Sequence, residues 1–301
     1  MTEKTNRRDA LKCLGVGTGT LFAMSGGIFS AFDLADARAQ TAAPLFLQIS
    51  DTHIGFDKPA NTDVVGTLNR TIDLANALPR APALVLHTGD VSHLSKPEEF
   101  DTASQLLSRL KAGEMHVVPG EHDVTDGPGA EFFARFGKPS QGRGYYSFDA
   151  QGVHFVALVN VMNFKANGLG ALGDEQLAWL KDDLAGRAAS QPIVVFAHMP
   201  LWTIYEPWGW GTGEGGAIAA LLRRFGSVTV LNGHIHQIVQ KVEGNITFHT
   251  ARSTAYPQPA AGEGAGPGPL VVPADRLPHM LGLSTASARR RKIVLADTTL
   301  A

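Results

Sequence analysis

The 301-residue sequence contains a single cysteine, Cys13, and it sits near the amino terminus. No disulfide can therefore staple the chain, even in an oxidising compartment. A basic surplus is also missing. Twenty-six Lys and Arg against 28 Asp and Glu give a formal net charge of −2, which argues against a nucleic-acid partner. The one basic run, Arg289-Arg290-Arg291-Lys292, abuts a short apolar stretch and reads as a solvated strand flank. Beyond residue 40 no apolar run is long enough to span a bilayer. Aromatic residues are sparse at 8%, so three tryptophans at 202, 208 and 210 make a local concentration. What is present, 44% hydrophobic and 18% charged residues, suits a soluble globular chain with enough apolar mass for a core.

Residues 1–39 read as a targeting segment. Asn6-Arg7-Arg8-Asp9-Ala10-Leu11-Lys12 resembles a twin-arginine export motif, a glycine-rich apolar run covers 13–32, and Ala37-Arg38-Ala39 supplies a small-x-small cleavage signal. The expectation is a mature start near Gln40, a periplasmic or secreted protein, and the twin-arginine export machinery as a transient partner. An uncleaved membrane anchor is the alternative, weakened by the five glycines of the run. Cleavage would leave no stable membrane insertion. It would also remove the only cysteine and shift the net charge to −3.

The remainder alternates short apolar runs with helical patterns, the mark of α/β construction. Stretches 45–49, 83–87 and 115–118 read as buried strands, and 63–78 and 97–110 as helices. Hairpins are expected at 145–159, turning at Gln151-Gly152, and at 238–249, turning at Glu243-Gly244-Asn245. Between them lie a helix from Asp174, a candidate N-cap, to about 185, and strands at 193–197 and 228–231. This gives a domain over 40–255. A Pro/Gly-rich extension over 256–301 should pack upon it, with a possible last strand at 292–296.

Five short segments stand where predicted strands end: Ser50-Asp51-Thr52-His53, Thr88-Gly89-Asp90, Gly120-Glu121-His122-Asp123, Ala197-His198-Met199-Pro200, and Asn232-Gly233-His234-Ile235-His236. Strand carboxyl ends are where open α/β sheets bind ligands, so all five can converge on one crevice. Imidazole with carboxylate suits transition metals such as Zn, Mn and Fe. Each piece alone is weak, since a lone His is usually structural and a lone Gly-Asp is usually a turn. Five of the eleven histidines in these segments, in this order, are a signal.

The series resembles the signature of calcineurin-like metallophosphoesterases, from residue 45 to about 249. The resemblance implies a four-layer fold, two mixed β-sheets packed face to face and flanked by helices. It implies dinuclear-metal-dependent hydrolysis of a small-molecule phosphoester. Asp51, His53 and His236 would hold one metal, Glu121, His198 and His234 the other, and Asp90 would bridge. The ions would be divalent or mixed-valence Mn, Fe or Zn. Such a pair can activate a bridging hydroxide and neutralise charge in the transition state. His122 would face the phosphorus as general acid, its imidazole held by Asp123. Phosphodiester is narrowly favoured over monoester.

Two departures qualify the resemblance. Position 121 carries Glu where the family pattern has Asn. That leaves three outcomes: a working site with altered metal preference, a weak enzyme, or a catalytically silent metal- or ligand-binding protein of the cell envelope. His93 occupies the position where purple acid phosphatases place a tyrosine ligand. It is a possible substrate contact, or else a surface loop residue. The loop after His198 could bring Trp202 to the cleft as an apolar wall, or bury it against the domain. His87, His116 and His154 read as structural.

Overall fold

A computed structural model describes residues 44–140, 144–289 and 292–301. Ahead of them it describes only the backbone of three short strands, Val16–Gly17, Thr20–Ser25 and Ile28–Asp33, paired antiparallel among themselves. The rest of 1–39, including the twin-arginine motif and the cleavage signal, lies outside the described residues. Among the described residues no helix is long and apolar enough to cross a membrane.

The domain begins as a repeating strand–helix series. β1 (Phe46–Ile49), β2 (Leu84–His87) and β3 (Glu114–Val117) run parallel, linked by α1 (Val64–Asn76) and α2 (Pro97–Leu107). β1 and β2 are buried at every position, which accounts for their nearly unbroken apolar sequence. α1 starts where the Asp63 carboxylate accepts the Gly66 N–H at 2.7 Å. α2 starts on Pro97, whose missing N–H would have had no helical partner there. Val64, Leu68 and Ile72 of α1 and Phe100 and Leu107 of α2 pack with Leu47, Ile49 and Val85 in one core layer.

After α3 (Ala130–Phe136), β4 (Tyr146–Ala150) and β5 (Val153–Ala157) form the first expected hairpin. Its turn residues Gln151 and Gly152 have φ of 50° and 78°, the left-handed pair that a tight hairpin requires. The short ribbon β6 (Asn163–Phe164) and β7 (Gly170–Ala171) precedes α4 (Asp174–Ala185). Asp174 proves to be the first helical residue and not the cap, because the chain enters through Gly173 at φ 78°. β8 (Ile193–Phe196), α5 (Gly215–Leu222), β9 (Val228–Asn232), β10 (Gln240–Glu243) and β11 (Ile246–Thr250) follow. They complete a six-stranded sheet ordered β10-β11-β9-β8-β5-β4, parallel at its centre with an antiparallel strand at each edge.

The two sheets meet across a dry layer. Phe46, Leu84 and Leu86 of the first interleave with Phe155, Phe196 and Leu231 of the second, and the Phe46 and Phe155 rings cross edge-on at 6.1 Å. α1 and α2 cover one outer face and α4 and α5 the other, giving the four-layer α/β architecture.

The C-terminal segment contributes more than surface. Past the short α6 (Leu277–Met280), β12 (Gly282–Arg289) and β13 (Lys292–Thr299) form a hairpin, and β12 pairs antiparallel with β1. The first sheet is therefore ordered β13-β12-β1-β2-β3. The strand expected at 292–296 exists, longer than read, and 282–289 beside it was not foreseen. Its Ser, Thr, Ala and Gly residues carry little hydrophobic signal, and pairing with β1 is what selects their conformation.

Candidate metal centre

β1, β2, β3, β8 and β9 all deliver their carboxyl ends to the same edge of the sandwich. There the backbone is unusual. Among the described residues seven non-glycine positions have positive φ, and five of them are the predicted ligands at this edge: Asp51 (53°), His53 (40°), Asp90 (53°), His234 (70°) and His236 (55°). Side-chain-bearing residues seldom adopt this conformation, and the surroundings must hold them there. Asp51 and His53, two residues apart on such a turn, reach one cluster. Close approach adds a second demand. A Cβ on Gly120 would strike the Asp90 carboxylate, and one on Gly89 would strike the His198 ring and come within 2.8 Å of the Gly120 amide.

All seven predicted ligands meet. Asp51, His53 and His236 form one cluster, and Glu121, His198 and His234 another. Asp90 stands between them: its Oδ2 is 3.4 Å from His53 Nε2 and 3.4 Å from His198 Nε2. Its Oδ1 accepts the His122 amide at 2.9 Å, so one oxygen alone faces both clusters. Glu121 reaches both of its partners, Oε2 lying 2.8 Å from His198 Nε2 and Oε1 2.9 Å from His234 Nδ1.

These groups fit cations. Asp51 Oδ2, Glu121 Oε2, His198 Nε2 and both His234 ring nitrogens are buried without a hydrogen-bond partner, although charged neighbours are close. Leaving such atoms unsatisfied is costly, and a shared positive ion satisfies them together. The rings are aimed from behind. Thr88 oxygen accepts His198 Nδ1 at 2.7 Å and Tyr256 oxygen accepts His236 Nδ1 at 2.6 Å, leaving Nε2 of each for the site. The electrostatics agree. Burial and the His236, His122 and His93 rings push His53 well below the ordinary imidazole pKa, which keeps it a neutral donor. Burial works to raise the Glu121 pKa, yet His234 and His198 hold it well below the usual carboxylate range. Burial likewise opposes charge on His198, but Asp90 and Glu121 hold its pKa well above normal. The carboxylates demand positive charge at this point.

The sequence reading of Asp123 requires correction. Its carboxylate does not hold the His122 ring. It accepts Val91 N, Ser92 N and Gly120 N at 3.0, 2.7 and 3.0 Å, and Ser92 Oγ at 3.0 Å. In the one-turn 3₁₀ helix Glu121–Asp123, adjacent side chains diverge, so Asp123 points into the protein while His122 faces the cleft. Asp123 thus ties the Asp90 loop to the Glu121 loop. The His122 ring is fixed instead by His93: Nδ1 donates to the His93 carbonyl at 2.8 Å, and the two rings stack at 4.8 Å and 17°.

His93 is no mere surface residue. It lines the pocket, and its Nδ1 lies 3.4 Å from His53 Nδ1. Burial, with His122 and Lys58, lowers its pKa to about 4, so it is neutral near pH 7. Glu99, which sequence reasoning passed over, accepts the His93 and Leu94 amides at 3.2 and 2.7 Å and positions this loop. Of the two readings of Trp202, burial against the domain is the one the structure shows. The indole turns away to pack on Phe248 at 5.0 Å and joins the second core, while Trp208 and Trp210 line the cleft. Tyr256 was missed as well, since it lies in a segment without periodicity. Its hydroxyl is 3.3 Å from His53 Nε2. The cleft has a volume of about 380 Å³. His87, His116 and His154 are structural, as expected: buried, and bonded to Thr52, Tyr146 and Asp183 respectively.

Two clusters of carboxylate and imidazole sharing one aspartate oxygen define a metal-dependent phosphoric ester hydrolase. Residues 44–238 match the calcineurin-like phosphoesterase family, and the chain belongs to that family. It is 28% identical over 254 residues to the glycerophosphodiester phosphodiesterase GpdQ of Enterobacter lignolyticus, covering 78% of this chain and 86% of that one. It is 32% identical to the bovine serine/threonine-protein phosphatase CPPED1, covering 60% of this chain and 66% of the relative. Among solved structures, a dimetal phosphatase from Danio rerio superposes with a TM-score of 0.66 at 15% identity, over 86% of this chain and 97% of that one. A purple acid phosphatase from yellow lupin gives 0.64 at 13% identity, over 93% and 57%. At these identities the structural likeness is one of fold.

Because a single Asp90 oxygen faces both clusters, Asp90→Asn should lower bound metal at both positions. Elemental analysis of the purified variant is expected to give well under half the metal of the natural protein. Undiminished metal content would rule out the shared role.

Proposed function

We propose that this protein hydrolyses phosphodiesters at a two-cation centre, with His122 as the general acid. The observation that carries the reading is the pair of ligand clusters joined through Asp90 Oδ2, with their buried donor atoms otherwise unpartnered. Cations bound there would activate water and offset the charge that builds on phosphorus. Asp51, His53 and His236 would hold one, Glu121, His198 and His234 the other.

His122 is suited to its task by its setting. Nδ1 is committed to the His93 carbonyl, which leaves Nε2 as the nitrogen available to the cleft. Burial pulls its pKa down, but Asp90, Glu121 and the His93 carbonyl together hold it above the ordinary value. Cations on Asp90 and Glu121 would withdraw part of that support, and the carbonyl would remain. A protonated imidazole can give its proton to a departing alkoxide.

Glu121 supports the diester preference. Asp51, Asp90 and Glu121 are three carboxylates facing two cations, so a divalent pair would keep one net positive charge, where asparagine at 121 would leave two. One charge matches a monoanionic diester, and two match a dianionic monoester.

Export by the twin-arginine route to the periplasm or medium is part of the proposal. It is supported by Arg7-Arg8, the apolar run and Ala37-Arg38-Ala39. Amino-terminal sequencing of the exported protein should begin at Gln40. Export unaffected by changing Arg7 and Arg8 to Lys would refute the route.

His122→Ala should leave metal content intact and slow hydrolysis of an alkyl diester about 10²–10⁴-fold. The loss should be far smaller for a nitrophenyl diester, whose leaving group hardly needs a proton. Equal losses on both would remove His122 from the acid role.

The natural, metal-loaded protein should cleave bis(p-nitrophenyl) phosphate with higher kcat/KM than p-nitrophenyl phosphate. Glu121→Asn, at unchanged metal content, should shift that ratio toward the monoester by about tenfold or more, the effect of one unit charge within a few ångströms. Full metal occupancy with turnover of neither substrate would instead favour a silent metal-binding protein.

A further inference from the structure

Tyr256 reaches the first cluster from outside the strand-terminal motifs, and the seven ligands leave its hydroxyl without a task. The chain beneath it is pinned. Ser253 Oγ donates to the Asp51 carbonyl at 2.7 Å and accepts the Ala255 and Tyr256 amides at 2.8 and 3.2 Å. The ring packs against Phe56 at 4.3 Å, His236 at 4.6 Å and His53 at 4.8 Å. It lines the cleft while only 3% exposed, so its hydroxyl is held in one place.

Among the described residues that hydroxyl has one hydrogen-bond partner, His53 Nε2 at 3.3 Å. The same nitrogen faces His236 Nε2 at 3.2 Å and Asp90 Oδ2 at 3.4 Å, so it is the atom His53 offers to a cation. Nδ1 points instead to His93, 3.4 Å away. An imidazole nitrogen has a single lone pair, which cannot accept an O–H and hold a cation together. In the loaded site the phenol therefore loses its partner, and a buried donor left bare is unfavourable. Burial, with Asp90, Asp51 and Glu121 nearby, raises the phenol pKa, so the group keeps its proton.

A phosphoester brings to this place an anionic non-bridging oxygen, the acceptor that makes the shorter and stronger kind of hydrogen bond. The hydroxyl need not reach open solvent to meet it. It already stands beside a ligand nitrogen, where an oxygen bound at the first cluster has to come. We propose that Tyr256 is a substrate-binding residue, whose hydroxyl donates to a non-bridging oxygen of the phosphoryl group held at the first cluster. The inference rests on the two-cation reading and deepens it. A phenol adds no charge, so it supports the anion without altering the balance set by Glu121.

The test is a calorimetric titration of the metal-loaded protein with inorganic phosphate, in the natural form and as Tyr256→Phe. Phenylalanine keeps the ring contacts with Phe56, His53 and His236 and deletes only the donor. A hydrogen bond to a charged group is worth roughly tenfold or more in affinity, so phosphate should bind the variant about tenfold more weakly at unchanged metal content. The kcat/KM for bis(p-nitrophenyl) phosphate should fall by at least about the same factor. Equal phosphate affinity of the natural protein and the folded, metal-loaded variant would overturn the proposal. So would loss of metal from Tyr256→Phe, which would make the hydroxyl a ligand and not a substrate donor. Phosphate binding by neither protein would overturn it together with the two-cation reading. Failure of the phosphodiesterase reading alone appears as absent turnover of bis(p-nitrophenyl) phosphate by a preparation that binds phosphate and shows the Tyr256 effect.

Discussion

The site depends on how one carboxylate is held. Asp90 emerges from β2 in a left-handed conformation, with glycine before it and Gly120 pressed against its side chain. The His122 amide takes one oxygen and leaves the other midway between His53 and His198. If Asp90 moved, the two clusters would no longer share a ligand. The loops around it are fastened accordingly. Asp123 gathers amides from the Asp90 loop and from Gly120, and Glu99 gathers those of His93 and Leu94. These carboxylates touch no ligand atom, but they fix the backbone from which ligands project.

Strain and charge are concentrated at the same edge. Five left-handed ligand residues, three carboxylates and several buried imidazoles lie close together in a small volume. Isolated, each feature is unfavourable, since strained backbone, like charges and buried unpaired polar atoms all oppose folding. Cations held by the two clusters would reverse the electrostatic part of that balance. The dry layer between the sheets, with Phe46, Phe155 and Phe196 fully buried, supplies a rigid support against which the strain can be held.

In the proposed reaction Glu121 links the site to selectivity, since as a carboxylate directed at His198 and His234 it brings a negative charge that asparagine would not. Substrate choice in that reaction is set by the charge near the two clusters.

The sequence by itself determined the strand–helix alternation that carries the site, without the helices Ala130–Phe136 and Gly215–Leu222, and named all seven residues of the two clusters. Strand-terminal motifs such as Asp51-x-His53 and Gly233-His234-x-His236 are local, and buried parallel strands announce themselves by composition. It did not reveal β12, because Gly282, Ser284, Thr285 and Ala286 have no marked propensity and become a strand only by pairing with β1. Nor could it separate Asp123 from His122. Adjacent residues diverge on a tight turn, and the true partner of His122 is the main-chain carbonyl of His93, a group every residue possesses. The same reason hid the carbonyls of Thr88 and Tyr256, and it left open which tryptophan reaches the cleft. Local patterns encode which residue types can bind a metal. The direction of each side chain, and the backbone atom behind it, arise only when distant segments pack together.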